Sequence, residues 1–206
     1  MAVNDAAPGS VLAVTAHPDD AELWMGGTLA WHARHAPVTI AVEKVDEQRA
    51  AEARSAAKML GAGVEVVDRH REQDCVDLLC RLTPEVLVVH PRNDMHHDHR
   101  RVSEIALAAV TRAIIETGFP RRVYACDTYE SWTLDGPFPG WVVVDVTKTF
   151  EIKLQALRAH RSQPLEHFVG MAERMGTSWG GRIGKPYAEA FQPIPVLGRL
   201  PATTCL

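Results

Sequence analysis

A three-layer α/β fold built on a mostly parallel sheet is what this sequence predicts, and three observations carry the prediction. Short apolar runs of strand length alternate with longer runs of helical spacing through the first half of the chain. Those short runs are apolar throughout, as in strands covered on both faces. Two polar clusters begin where two of the strand runs stop, which is where ligand-binding turns leave such sheets.

Taken in order, Val11–Thr15 (VLAVT) is a buried-strand run ending at a polar turn. Residues 26–35 then read as helix and residues 38–42 (VTIAV) as the next strand. Glu47–Leu60 is rich in Ala, Glu and Arg at helical spacing, and Gly61 with Gly63 supplies a C-terminal stop. A strand at 64–67, a weaker helix near 75–82 and a strand at Val86–Val89 continue the alternation, and residues 102–115 form another strong helix. Strand and helix at this pitch imply right-handed crossovers and a parallel sheet. The second half is less regular: a segment at 124–130, a Gly/Pro loop at 135–140, a strand at 142–146, and helices at 149–160 and 163–175. The Gly-rich stretch 176–184 reads as a mobile loop, and 187–194 as a last strand.

Composition narrows the class. At 206 residues the chain suits one domain, 1–206, with 1–10 as a flexible tail. Its 46% apolar and 23% charged content is that of a soluble globular protein. No run approaches the ~20 apolar residues of a membrane span. The start carries no signal-peptide pattern, so a cytoplasmic location is expected. A net charge of -4 with scattered basic residues argues against nucleic acid or anionic membrane as partner. Four cysteines without CxxC spacing exclude a thiolate zinc site, so any metal falls to histidine and carboxylate.

Ten histidines are unevenly spread, with His90, His96, His97 and His99 close together. His17-Pro18-Asp19-Asp20 follows the first strand and Asn93-Asp94-Met95-His96-His97-Asp98-His99 the fourth, so both clusters should share one rim. Taken alone, either cluster is also what a solvated turn looks like. Zinc accepts imidazole and carboxylate, and catalytic sites use three protein ligands with a position left for water. His17, Asp20 and His99 supply such a set.

At these residues a resemblance becomes specific. Ala16-His17-Pro18-Asp19-Asp20-Ala21-Glu22, followed by Gly26-Gly27-Thr28-Leu29-Ala30, resembles the opening motif of the PIG-L/LmbE-like family of zinc-dependent N-deacetylases. Asp94-x-His96-x-Asp98-His99-Arg100 is similar to the second motif of that family. Arg49-x-x-Glu52-Ala53, Ala56-Ala57 and Leu60-Gly61 match its second helix, and His160-Arg161-Ser162-Gln163 its later His-x-Ser-Gln segment.

The resemblance implies a Rossmann-like sheet with the site at the carboxyl ends of its strands, zinc held by His17, Asp20 and His99, and Asp19 as the base. His96 would stabilise the oxyanion. Asp98 would sit behind His96, fix its tautomer and raise its pKa. Arg49 looks like the substrate-binding arginine, although pairing with Glu52 on its own helix is the plain alternative. His160 reads more simply as a helix C-terminal cap, and His97 as surface. Trp24, Trp132, Trp141 and Trp179 include candidate sugar-stacking platforms.

The implied activity is hydrolysis of an N-acetyl or similar acyl amide on an amino sugar, N-acetylglucosamine in type, or on a related small polar molecule of secondary metabolism. The partner is thus a small N-acylated substrate, and a homo-oligomer is open because relatives are often oligomeric. Fe2+, Co2+ or Mn2+ also suit an N/O site. Two alternatives stand beside this reading: a zinc amidase acting on a sugar-thiol conjugate or antibiotic intermediate, and a non-catalytic small-molecule binder. Residues 43–47 (EKVDE) and 68–72 (DRHRE) depart from the family pattern, so His70 or Arg71 is expected to replace familiar pocket contacts.

Overall fold

The computed structural model describes residues 9–200; residues 1–8 of the expected tail, and Cys205, lie outside it. Nine strands and six helices follow in order. They are β1 (Val11–Thr15), α1 (Asp20–His32), β2 (Val38–Glu43), α2 (Glu47–Leu60), β3 (Gly63–Val67), α3 (Glu72–Leu82) and β4 (Val86–Val89). Then come α4 (His97–Thr117), β5 (Arg122–Cys126), a 3-10 turn (Tyr129–Ser131), β6 (Trp132–Thr133) and β7 (Gly136–Pro137). β8 (Val142–Asp145), α5 (Phe150–Leu157), α6 (Leu165–Ile183) and β9 (Ala188–Ile194) complete the series.

Seven strands form one sheet in the order β3-β2-β1-β4-β5-β9-β8. The first five are parallel, and β9 joins β5 and β8 antiparallel. Alternation within each strand divides the core between two faces. Val11 and Ala13 of β1 pack with Leu29, Leu157 and Met171 beneath α1, α2, α5 and α6. Leu12 and Val14 pack with Leu79 and Val102 beneath α3 and α4. Two helical layers over one sheet make the expected three-layer sandwich. Among the described residues no helix is long and apolar enough to cross a membrane.

The chain winds outward from β1 through β2 to β3 on one side, and from β4 to β5 on the other. The carboxyl ends of β1 and β4 therefore flank the point where strand order reverses, the crevice in which open α/β sheets bind ligands.

Three local expectations change. α1 begins at Asp20 rather than Gly26 because its glycines lie inside the helix. A Cβ on Gly27 would come within 2.7 Å of Val146, so only glycine lets α1 settle there. The amides of Gly27 and Thr28 donate to the buried Glu189 carboxylate (2.9 and 2.7 Å), which also accepts from Lys153 Nζ at 2.7 Å. α4 begins at His97 rather than Val102, since the polar cluster itself forms its first turn.

The expected mobile loop at 176–184 is instead the last half of α6, closed by Gly184 in the left-handed region at φ 68°. Its glycines are sites of close approach. A Cβ on Gly176 would meet Phe150 at 2.7 Å, and one on Gly180 would overlap the Lys185 carbonyl.

Candidate metal centre and cleft

β1 delivers His17 on a tight turn into α1, whose first residue is Asp20. β4 delivers the second cluster, whose His99 sits in the first turn of α4. His17 Nδ1 lies 3.2 Å from His99 Nε2, His99 Nε2 lies 3.2 Å from Asp20 Oδ1, and His17 Nδ1 lies 3.4 Å from Asp20 Oδ2. Donors about 2.0–2.1 Å from a tetrahedral ion are separated by ~3.3–3.4 Å. The three groups thus already stand at the spacing a shared divalent cation requires, and their chemistry suits zinc.

Second contacts orient these donors. Asp94 is fully buried; its Oδ2 accepts from His99 Nδ1 at 3.0 Å and its Oδ1 from the His96 amide at 2.8 Å. A carboxylate behind Nδ1 keeps a proton there, so that Nε2, once it gives up its own proton, turns a lone pair toward His17 and Asp20. Asp20 is steadied by the His17 amide at 2.6 Å and the Trp24 indole at 3.3 Å. Buried His90 also approaches Asp20, at 3.2 Å, and groups spatially with Asp20 and His99. Its Nε2 already accepts the Ala16 amide at 3.1 Å, so that lone pair is engaged and His17 is the better third donor.

Charge is concentrated on these buried groups. Burial opposes charge on His99, yet the Asp20 and Asp94 carboxylates raise its pKa to about 10. Burial also works against the Asp20 carboxylate, but His99 and His90 hold it well below the ordinary range. Asp19 is raised by burial and by the adjacent Asp20 charge, against the pull of Arg49.

Arg49 reaches from α2 to Asp19, with Nη2 2.8 Å from Oδ1. It does not pair with Glu52, whose carboxylate takes the Ser162 hydroxyl and amide at 2.6 and 3.0 Å. Arg49 Nε is buried without a hydrogen-bond partner. Together His17, Asp19, Asp20, Arg49, His96, Tyr129, Gln163 and Phe168 line a solvent-open cleft of about 460 Å³.

Asp98 takes another place than expected. Its carboxylate is 3.9 Å from His96 Nδ1, too far for a hydrogen bond, and 3.6 Å from His17 Nε2. The Asp98 backbone amide instead donates to His96 Nδ1 at 3.2 Å, making His96 the N-cap of α4. Burial and the neighbouring His99 and His17 push the His96 pKa down, opposite to the direction expected from a carboxylate partner.

His160 does not cap α5, which ends at Leu157. It is fully buried, with Nε2 3.3 Å from Glu22 Oε2. His70 does not line this cleft either: it is buried, and its Nε2 lies 3.0 Å from the Thr15 carbonyl at the end of β1. Arg71 starts α3 away from the cleft.

Sequence reasoning gave no role to His90, Asp94, Tyr129 or Phe168. Asp94 was within reach of it, since a histidine ligand calls for an acceptor behind its second nitrogen and Asp94 lies in the quoted motif. Tyr129 and Phe168 carry no such signal.

Known proteins resemble this chain in sequence and in fold. The family model PIG-L, described as GlcNAc-PI de-N-acetylase, matches residues 12–110, which take in both clusters. A conserved protein from Thermus thermophilus superposes with a TM-score of 0.76 at 28% identity, over 90% of this chain and 95% of that one. The N,N'-diacetylchitobiose deacetylase from Pyrococcus horikoshii, solved with an inhibitor, gives 0.74 at 22% identity over 92% and 85%. At that identity the second likeness speaks for the fold.

Proposed function

We propose that this chain, whose residues 12–110 match the PIG-L family model, is a metal-dependent hydrolase of that family that removes an N-acetyl group from an amino sugar or a closely related polar molecule. The observation that carries the reading is the convergence of His17, Asp20 and His99, from two separate strand ends, at donor spacings of 3.2 to 3.4 Å. The Pyrococcus protein of the same fold is named as a deacetylase of N,N'-diacetylchitobiose, which supports an amino-sugar substrate.

His17, Asp20 and His99 would hold the ion, zinc by donor type. When bound, a divalent ion supplies two things an unreactive amide needs: a water acidified toward a pKa of ~7 and a polarised acyl oxygen.

The residues of the chain do the rest. Asp19, raised by burial and by Asp20, has the proton affinity of a general base. It takes the proton of water as the water oxygen adds to the acyl carbon. When the C–N bond breaks, the same proton passes to the leaving nitrogen, giving a free amine and acetic acid, whose remaining proton is then lost to leave acetate. Arg49 holds Asp19 in place, and its charge favours the carboxylate form against the pull of burial and Asp20.

His96 acts as a neutral donor. With Nδ1 accepting the Asp98 amide, the ring proton belongs on Nε2, from which it can meet the negative acyl oxygen of the tetrahedral intermediate. Asp98 serves by steadying His17 from its Nε2 side.

The test is acetate release from N-acetylglucosamine and N,N'-diacetylchitobiose by the zinc-loaded protein, with zinc content measured alongside. Asp19→Asn should retain zinc and lose about 10²–10⁴ in kcat. Loss of zinc with Asp19→Asn, or full turnover without Asp19, overturns the assignment.

A further inference from the structure

An apolar cavity of about 580 Å³ lies at the other end of the sheet from the metal centre. Val11, Val86 and Arg122, the first residues of β1, β4 and β5, sit side by side on its floor. The metal centre leaves the opposite end of β1, ~13 Å away along five residues of strand. No lining residue is shared between this cavity and the metal cleft.

The local sequence explains the space. Val11, Val86, Val88, Val142 and Val144 line the floor, and only Tyr124 and Phe191 among its strand residues are aromatic. Valine on so many neighbouring strands leaves depth beneath α1, which lines the cavity from the helical side with Met25, Thr28, Leu29 and His32. Thr28 and His32, four residues apart, share one face of that helix. The five strands beneath, β1-β4-β5-β9-β8, span about 19 Å, so the floor is a trough rather than a round hole.

Polar groups are few here and poorly answered. Arg122 is the only residue of the lining with a fixed charge. Its side chain is 31% exposed, and the Glu85 carboxylate stands 3.8 Å from Nη2, beyond hydrogen-bond reach. Burial holds the His32 pKa down, against the Gly9 carbonyl, so the charge of the cavity belongs to Arg122.

Thr28 Oγ1, His32 Nδ1 and Arg122 Nε are shielded from water and have no hydrogen-bond partner among the described residues. Buried polar groups are otherwise paired, so three unpaired atoms around one apolar space mark an unmet demand for polar contact. They stand behind the lining surface. Rotation about Cα–Cβ, for which a helical threonine has two open positions, turns the Thr28 hydroxyl to the cavity. A head group settled against the exposed side of the guanidinium then meets a second donor from α1.

We propose that this cavity is a second binding site, for an aliphatic carboxylate of medium chain length, with the tail along the valine trough and the carboxylate on Arg122 and Thr28. Apolar walls with a few convergent polar groups are the ordinary make-up of a small-molecule site. A chain without a charge leaves the cation unanswered, and a small anion without a chain leaves the trough to water. The site is independent of the deacetylase reading and uses none of its residues.

Calorimetric titration of the zinc-loaded protein with octanoate tests this, with and without excess acetate, which competes for any carboxylate position on the metal. Octanol and octylammonium supply the same tail with a neutral and a cationic head. Octanoate should bind one to one, unaffected by acetate, and at least about tenfold tighter than either. Arg122→Gln should erase the margin over octanol, and Arg122→Lys should keep part of it. Val142→Phe, at a half-buried position of the trough, should weaken octanoate and octanol alike by about tenfold, the worth of about two displaced CH2 groups. Cooperative urea unfolding of each variant shows that it is folded.

The site is overturned by the absence of octanoate binding, by binding that acetate displaces, or by octanol binding as tightly as octanoate. Arg122→Gln that binds octanoate as well as the parent does would overturn it equally.

Discussion

Asp94→Asn is the sharpest perturbation of the proposed centre, because it removes a charge without removing a ligand. Asp94 is fully buried and accepts two hydrogen bonds, from His99 Nδ1 and from the His96 amide. An asparagine of the same shape has one acceptor oxygen for these two donors, so one of them must face an NH2 group. If the His99 bond is lost, the ring is free to change tautomer and its Nε2 lone pair is no longer assured; if the His96 bond is lost, the turn that starts α4 loosens. Outer carboxylates of this kind typically change metal affinity by 10–100-fold, or about 1.4–2.8 kcal/mol. The unsatisfied buried donor costs a further ~1–3 kcal/mol of folding stability. Zinc affinity is measured by competition with a chelator of known constant, and stability by urea unfolding of the metal-free protein. His97→Ala, at an exposed ring beside the motif, serves as the control and should change neither. Zinc affinity of Asp94→Asn within about twofold of the parent would show that His99 is not held through Asp94, and the ligand assignment would fall with it.

Two further perturbations address the frame. Asp127 is buried and its pKa is raised to about 6 by burial, with the Ser131, Thr128 and Trp179 donors pulling the other way. Because the folded-state value lies above the ordinary 3.8, the folded protein binds the extra proton between these limits, so the contribution of Asp127 to stability is greatest below about pH 4 and is lost as pH rises through about 6. The gap corresponds to about 3 kcal/mol, and Asp127→Asn should remove that part of the decline in urea unfolding between pH 4 and 7; an unchanged slope refutes it. Glu189→Gln should cost about 3–5 kcal/mol, since it strands the buried Lys153 ammonium beside a neutral amide, and adding Lys153→Met should recover part of the loss. A single variant as stable as the parent would show that the Lys153–Glu189 contact is not an ion pair of consequence.

Periodicity made the layers legible before any coordinates, because β1 and β4 are apolar on both faces and α2 ends on a glycine that takes the left-handed turn at φ 78°. It misread α6 because glycine has two uses. At Gly184 it turns the chain, while at Gly176 and Gly180 it admits Phe150 and the Lys185 carbonyl. Only the position of the neighbours tells these apart, and no local pattern carries that. That His17, Asp20 and His99 would converge was readable because histidines cluster in few places here and both clusters follow strands that end on one rim. The place of Asp98 was not: residues 96 and 98 adjoin in sequence, but the start of α4 turns the Asp98 carboxylate toward His17 and leaves its amide to His96.

Why two clusters so far apart in sequence meet at ligand distance follows from sheet register. β1 and β4 pair in parallel with Val11 beside Val86 and Ala13 beside Val88. Carrying that register onward sets Thr15 level with His90, so both strands release their turns from the same rung. The Ala16 amide bonded to His90 Nε2 marks the point of departure. From there the turn after β1 reaches His17 at once, and the longer turn after β4 brings the first turn of α4, with His99, back over it. Because the winding reverses between these two strands, no crossover helix fills the space above them. A shift of the pairing by one residue would turn the apolar side chains of one strand to the opposite face. The burial that fixes the register, with Leu12 and Leu87 both wholly enclosed, therefore also fixes the geometry of the centre.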